Sequence, residues 1–343
     1  AFWPMHSHGD ETRLFVPADF TDTGEIRLDA PGGSMEKVAL RNQIGGTCYA
    51  YTAAAMFDAA RFSSGDERTE LVSSGFAAAL DYKSKFKGKN PDGGYVCGLA
   101  GVMPGLRHRG ACSTKALPPF RNSVSLNRTV KIIQAAWKLT REDTLPGVQA
   151  PVARETRVKP ALIAYGMQTQ DLPPDHEIDE LLQKKSLTKL LKKLLVEPSC
   201  AKDDRIEWDV RRCKSGLKIA KSVRARVGDM NALLRRENAQ PIEISFCSAV
   251  LTEGYAALSD PKKWNVLFMS GEKCGYHAAL VIGRRVRDGQ QEFLVRNSWG
   301  KSCLPYAPEW ECEAGKGNIW VDGNALMKTV YAMAHMKEPA SRD

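Results

Sequence analysis

Three side chains far apart in the chain have the types that thiol chemistry needs. The first is Cys48, in the stretch Arg41-Asn-Gln-Ile-Gly-Gly-Thr-Cys-Tyr-Ala50. A glutamine and a glycine-rich turn precede it, and an alanine-rich run follows to Phe62. Alanine is the strongest helix former, and Ser63-Ser-Gly65 suits a helix stop, so a helix over 48–62 is expected with Thr47 as its cap. Cys48 then falls in the first turn, where unpaired N–H groups and the helix dipole favour the thiolate. Gln43 lies just upstream and can aim an amide N–H at the same spot. The plainer alternative is a small buried hydrophobe, the commonest fate of a free cysteine.

A cysteine nucleophile needs a base, and the base needs an orienting group. A β-hairpin supplies both. Tyr276–Gly283 and Glu292–Trp299 alternate as strands around Asp288-Gly289, a strong hairpin turn. His277 opens one strand and Asn297 ends the other, so both project at the end of the ribbon away from the turn. An asparagine carbonyl can accept from one imidazole nitrogen and leave the other for a thiolate. Trp299 is placed to cover that bond from water.

Taken in order, these residues resemble the papain-like cysteine peptidases. The match consists of the Gln43-to-Cys48 turn, the His277 strand, the Asn-Ser-Trp-Gly run at Asn297–Gly300 and the Gly-x-Ile-Trp strand at Gly317–Trp320. Weaker echoes are Gly93-Gly94, Gly110-Ala-Cys112 and the strand after Pro241. The resemblance covers roughly residues 41–120 and 228–335, and such motifs are confirmed by structural context. It implies two lobes and an endopeptidase acting on peptide or protein substrates without a cofactor. Cys48 would be the nucleophile, and His277 its imidazolium partner and the acid for the leaving amine. Asn297 would hold the ring, and Gln43 with the Cys48 N–H would form the oxyanion hole. Gly93, Gly94 and Trp299 would contact substrate. Two departures stand out: the Gln43–Cys48 turn is one residue short, and Tyr49 replaces the usual tryptophan. A scaffold that binds peptides or partners without turnover, and a cysteine-dependent isopeptidase or transferase, are the alternatives, since fold alone does not secure function.

The elements that must position these groups divide the chain. Residues 1–40 are expected to form an extended arm, 41–125 a helical lobe with the nucleophile, 126–227 a largely helical, basic insertion, and 228–343 an antiparallel β-sheet or barrel-like lobe with the histidine and asparagine. Helices before strands define an α+β class. Within the first lobe, 67–82 and 96–109 read as helices. In the insertion, Val130–Leu139 reads as a helix and Asp143–Pro160 as a proline-rich loop. A single amphipathic helix is expected from Asp175 to about 197, with a leucine stripe opposite Lys184, Lys185, Lys189, Lys192 and Lys193. It could contact a partner or a membrane surface, although an ordinary solvated lysine face is the simpler reading.

The formal charge is +9 and 43% of residues are hydrophobic. The positive charge is spread along the chain, and no nucleic-acid partner is expected. No apolar run approaches the ~18 residues of a membrane span. Nine cysteines leave eight besides Cys48. Cys97/Cys112, Cys200/Cys213 and Cys303/Cys312 are each close in sequence, which suits disulfides in an oxidising compartment. No zinc-type spacing occurs, and His6-x-His8 near the start is read as solvated, so no metal is expected. The chain starts with Ala1, which suggests a secreted or periplasmic protein whose signal peptide has been removed. The segment Lys301–Lys316, carrying Cys303 and Cys312, reads as an insertion that a disulfide would make into a rigid lip.

Overall fold

A computed structural model describes residues 24–83, 101–121, 123–142, 152–183, 186–200, 205–207, 213–214, 222–261 and 274–336. It shows mixed helix and antiparallel sheet, in two compact units. One unit is Gln43–Val210; the other combines Ala1–Asn42 with Arg211–Asp343.

In the unit Gln43–Val210, the alanine-rich run forms a helix, Cys48–Ser63, buried along almost its whole length. Small side chains let other elements approach it on several sides. The next helix, Gly75–Lys83, starts later than expected. Ser73 is occupied elsewhere, donating its N–H and hydroxyl to the Asp58 carboxylate at 2.9 and 2.6 Å. Ser74 accepts from Ala77 N at 3.3 Å and opens the helix. A Cβ at Gly75 would lie 2.6 Å from the Tyr51 ring, so glycine sets this close approach. Met103–Arg109 is helical with Pro104 in its first turn, the position proline tolerates, and Gly110 ends it at φ 72°.

The helices Leu126–Glu142, Val152–Tyr165 and Asp175–Gln183 bury Val130, Ile133, Leu162 and Ile178 in the same core as Tyr51, Phe76 and Leu80. The expected loop at Asp143–Pro160 is corrected from residue 152 onward, where the chain is helical with Pro160 inside. Val158, Leu162 and Tyr165 recur at helical spacing and are fully buried. That burial outweighs the local cost of the proline. The single helix expected after Pro174 is two. Asp175–Gln183 ends, and Ser186 then caps Leu187–Leu191, accepting from Lys189 N. The leucine stripe is consumed in this core, while Lys192 reaches the Asp81 carboxylate at 3.0 Å.

The other unit is built on a sheet whose path runs through strands Glu311–Glu313, Asn318–Asp322, Gln290–Arg296, Tyr276–Arg287, Ile242–Cys247, Val330–Met336 and Cys213–Lys214. Ile26–Arg27 joins the side of Tyr276–Arg287 at Arg284 and Gly283. All these pairings are antiparallel. Among the described residues the path has two ends and does not close, so of the sheet and barrel-like forms expected for this lobe it takes the open sheet. Ile242–Cys247 is buried at every residue, as suits a strand covered on both faces. Asp29 ties the first strand to the sheet by accepting from Arg27 at 3.0 Å, Arg296 at 3.1 Å and Asn318 at 2.9 Å. Burial works against charge on Asp29, but these donors win and hold its carboxyl below the usual carboxylate range.

Three disulfides are present among the described cysteines: Cys112–Cys200, Cys247–Cys274 and Cys303–Cys312. The nearest-neighbour pairing holds for the last and fails for Cys112 and Cys200. Ala111–Cys112 pairs as a strand with Arg205–Ile206, which brings Cys112 within a Cα distance of 5.5 Å of Cys200. Sequence proximity is a weaker constraint than strand pairing here.

Candidate active site

Cys48 is the first residue of its helix and takes part in no disulfide. The turn before it is tight. Gly45 sits at φ 60°, and its carbonyl accepts from Thr47 N at 2.9 Å and from Gln43 Nε2 at 2.7 Å. Thr47 occupies the cap position but does not cap, because its hydroxyl donates back to Ile44 O at 2.7 Å. No acidic residue stands in the first turn, so the positive end of the helix dipole at Cys48 is not offset locally. The sulfur-bearing residue is buried, at 8% exposure.

The histidine and asparagine are brought together in the sheet unit. Asp288 and Gly289 both have positive φ, 50° and 74°, the pairing a tight two-residue hairpin requires. The register runs from Arg287↔Gln290 to Leu280↔Arg296, with one irregularity between Val281 and Gly283. His277 and Asn297 lie beyond its far end. There His277 Nε2 and Asn297 Oδ1 are 2.7 Å apart. The same oxygen accepts from Ser298 N at 2.7 Å. A backbone N–H must point at an acceptor, so this atom is the amide oxygen and Nε2 carries the ring hydrogen. In the neutral ring Nδ1 is then the basic nitrogen.

Aromatic rings surround this pair. Trp299 lies 4.8 Å from the His277 ring, Phe246 meets it edge-on at 5.6 Å, and Tyr306 stacks on Trp299 at 5.8 Å. Asn297 Nδ2 donates to the Tyr306 hydroxyl at 3.3 Å. His277 is 5% and Asn297 2% exposed. Burial pushes the histidine down to about 4, against the opposing pull of its bond to Asn297. The resting ring is therefore neutral, with a base nitrogen of defined position.

Of the residues singled out in the sequence, His277, Asn297 and Trp299 form one contiguous cluster, and Gln43 and Cys48 share one turn. Gly93 and Gly94 lie outside the described residues. Tyr306 was not anticipated; its only signal was an aromatic residue between two cysteines shortly after Asn-Ser-Trp-Gly. Among the described residues no three His, Cys, Asp or Glu side chains converge as metal ligands.

No protein-family model and no curated protein sequence matches the chain. Solved structures that it is similar to include the proform of the Amb a 11 cysteine protease, a ragweed pollen allergen. That match is at 13% identity and TM-score 0.41, covering 95% of this chain and 69% of the other. Procathepsin B S9 from Trypanosoma congolense matches at 12% identity and TM-score 0.46, with 98% and 82% covered. Digestive procathepsin L 3 from Tenebrio molitor larval midgut matches at 10% and 0.45, with 95% and 73% covered.

Proposed function

We propose that the chain is a papain-like cysteine endopeptidase with Cys48 as nucleophile, His277 as acid and base, and Asn297 as the group that orients the ring. The supporting observation is the His277–Asn297 bond. It is short and buried, and its donor and acceptor are fixed by Ser298 N. That is what a base requires if it is to present one nitrogen consistently. In the reaction, the Cys48 thiol passes its proton to His277 Nδ1 as the sulfur bonds to the peptide carbonyl carbon, and the imidazolium gives that proton to the amine as the C–N bond breaks. Water then adds to the thioester carbon, its proton passing through His277 to the Cys48 sulfur as the C–S bond breaks and the acid leaves. Gln43 Nε2 and the Cys48 N–H are the oxyanion donors in this reading, and Gly93, Gly94 and Trp299 contact the substrate. Three disulfides suit a protein that works in an oxidising compartment, as a secreted or periplasmic enzyme does.

One observation favours a second reading, peptide or partner binding without turnover. Gln43 spends an amide hydrogen on Gly45 O within its own shortened turn. A peptidyl epoxide and a fluorogenic peptide series separate the two. The peptidase reading expects covalent labelling at Cys48 and loss of hydrolysis in both Cys48→Ala and His277→Ala. Peptide binding with neither labelling nor hydrolysis would establish the second reading instead.

A further inference from the structure

The segment after the Asn-Ser-Trp-Gly run is held from both sides. Cys303–Cys312 closes a loop of nine residues' separation, and Gly315 N donates to Lys301 O at its base. Ala307 N donates to Leu251 O at 2.8 Å, and Trp310 Nε1 to Val250 O at 2.7 Å. The loop is thus fixed to the short helix Ala249–Glu253 by its own backbone and by a buried indole. Between these anchors Tyr306 points inward, 8% exposed, with its ring on Trp299 and its hydroxyl accepting from Asn297 Nδ2.

We propose that Tyr306 is a positioning residue, which locks the Asn297 amide so that its oxygen, and not its nitrogen, faces the His277 ring. The inference rests on the endopeptidase reading for its catalytic consequence, but not for the state of the ring. An amide has two faces of similar shape, and its orientation is decided by what each end meets. Ser298 N holds Oδ1 from one side; the Tyr306 hydroxyl engages the opposite end. Accepting from Nδ2 also polarises the amide, which makes Oδ1 the better acceptor for the ring N–H. Removing that hydroxyl leaves a buried N–H without this acceptor and weakens the hold on Nε2–H.

The test uses the full chain labelled with nitrogen-15, carrying Cys48→Ala so that no thiolate perturbs the ring, with and without Tyr306→Phe. Phenylalanine keeps the stack on Trp299 and removes the acceptor. The expected result is a smaller share of the Nε2–H tautomer in the His277 ring nitrogens and a titration midpoint displaced to lower pH. With Cys48 present, the same substitution should lower kcat by about tenfold with KM nearly unchanged, the size expected for one buried hydrogen bond acting through another group. Leu304→Ala serves as the loop control, because Leu304 is 95% exposed on the same loop. It should leave the tautomer and the midpoint as in the parent. Ring signals unchanged by Tyr306→Phe, or moved equally by Leu304→Ala, overturn the assignment. The ring measurement needs no turnover, so a chain that fails to hydrolyse peptides still gives a decisive answer about Tyr306.

Discussion

The imidazole of His277 carries a pH dependence whose sign follows from its burial. In the fold its midpoint is pushed down to about 4, below the 6.5 of an exposed ring. Between those values the unfolded chain binds a proton that the native chain refuses, so stability falls as pH drops through that window and is full above it. In the Cys48→Ala protein the His277 ring alone should take about 3 kcal/mol from the unfolding free energy between pH 7 and pH 4, most of the linkage for such a displacement. Denaturant titrations at both pH values should show that decline reduced in Cys48→Ala/His277→Gln, whose amide does not titrate. An equal decline in both proteins would place the acid sensitivity elsewhere. This site was half legible in the sequence. Asn297 and His277 could be paired because a hairpin turn fixes which ends of two strands meet. Tyr306 could not, because a disulfide loop has no periodicity that says which of its side chains points inward.

At the scale of elements, the cysteine helix is held to its successor by a buried ionic knot. Asp58 accepts from Ser73 twice and lies 3.5 Å from Arg61, while Arg61 reaches Asp66 at 3.1 Å. Arg61 is fully buried, so losing Asp58 leaves its charge to Asp66 and removes the acceptor of both Ser73 donors. Asp58→Ala should cost about 3 kcal/mol of unfolding free energy, measured by denaturant midpoint. Gly75→Ala should cost about 1–3 kcal/mol, since the added methyl meets the Tyr51 ring. The two together test whether charge or close packing sets the register of these helices. The helices themselves were visible in the alanine runs, in Pro104 at a first turn and in the spacing of the leucines. Where the expectation broke, tertiary burial overrode a local signal. Pro160 was read as a loop and lies in a helix because Val158, Leu162 and Tyr165 are drawn into the core. Ser186 cut the expected long helix by offering a cap that leucine spacing does not register.

Over the whole molecule, the disulfides differ in what they constrain. Cys112–Cys200 spans a separation of 88 residues and Cys303–Cys312 one of 9. Loop-closure entropy then assigns roughly 4.6 kcal/mol to the first and roughly 2.6 kcal/mol to the second. Cys112→Ser/Cys200→Ser should therefore lower the thermal midpoint more than Cys303→Ser/Cys312→Ser, as calorimetry would show; the reverse order would mean the unfolded chain is already compact around Cys112. The α+β class was readable from the order of helical and alternating segments, but the first strand's place in the sheet was not, since two residues carry no pattern. That place depends on Gly283, where a Cβ would sit 2.5 Å from Ile26 O. On that side Ile242–Cys247 pairs with Tyr276–Arg287 only as far as Val281. Ile26 and Arg27 take over the exposed backbone from there. A single absent methyl thus decides whether this flank is sealed by Ile26 and Arg27 or left as a raw ribbon on which a second molecule could template itself.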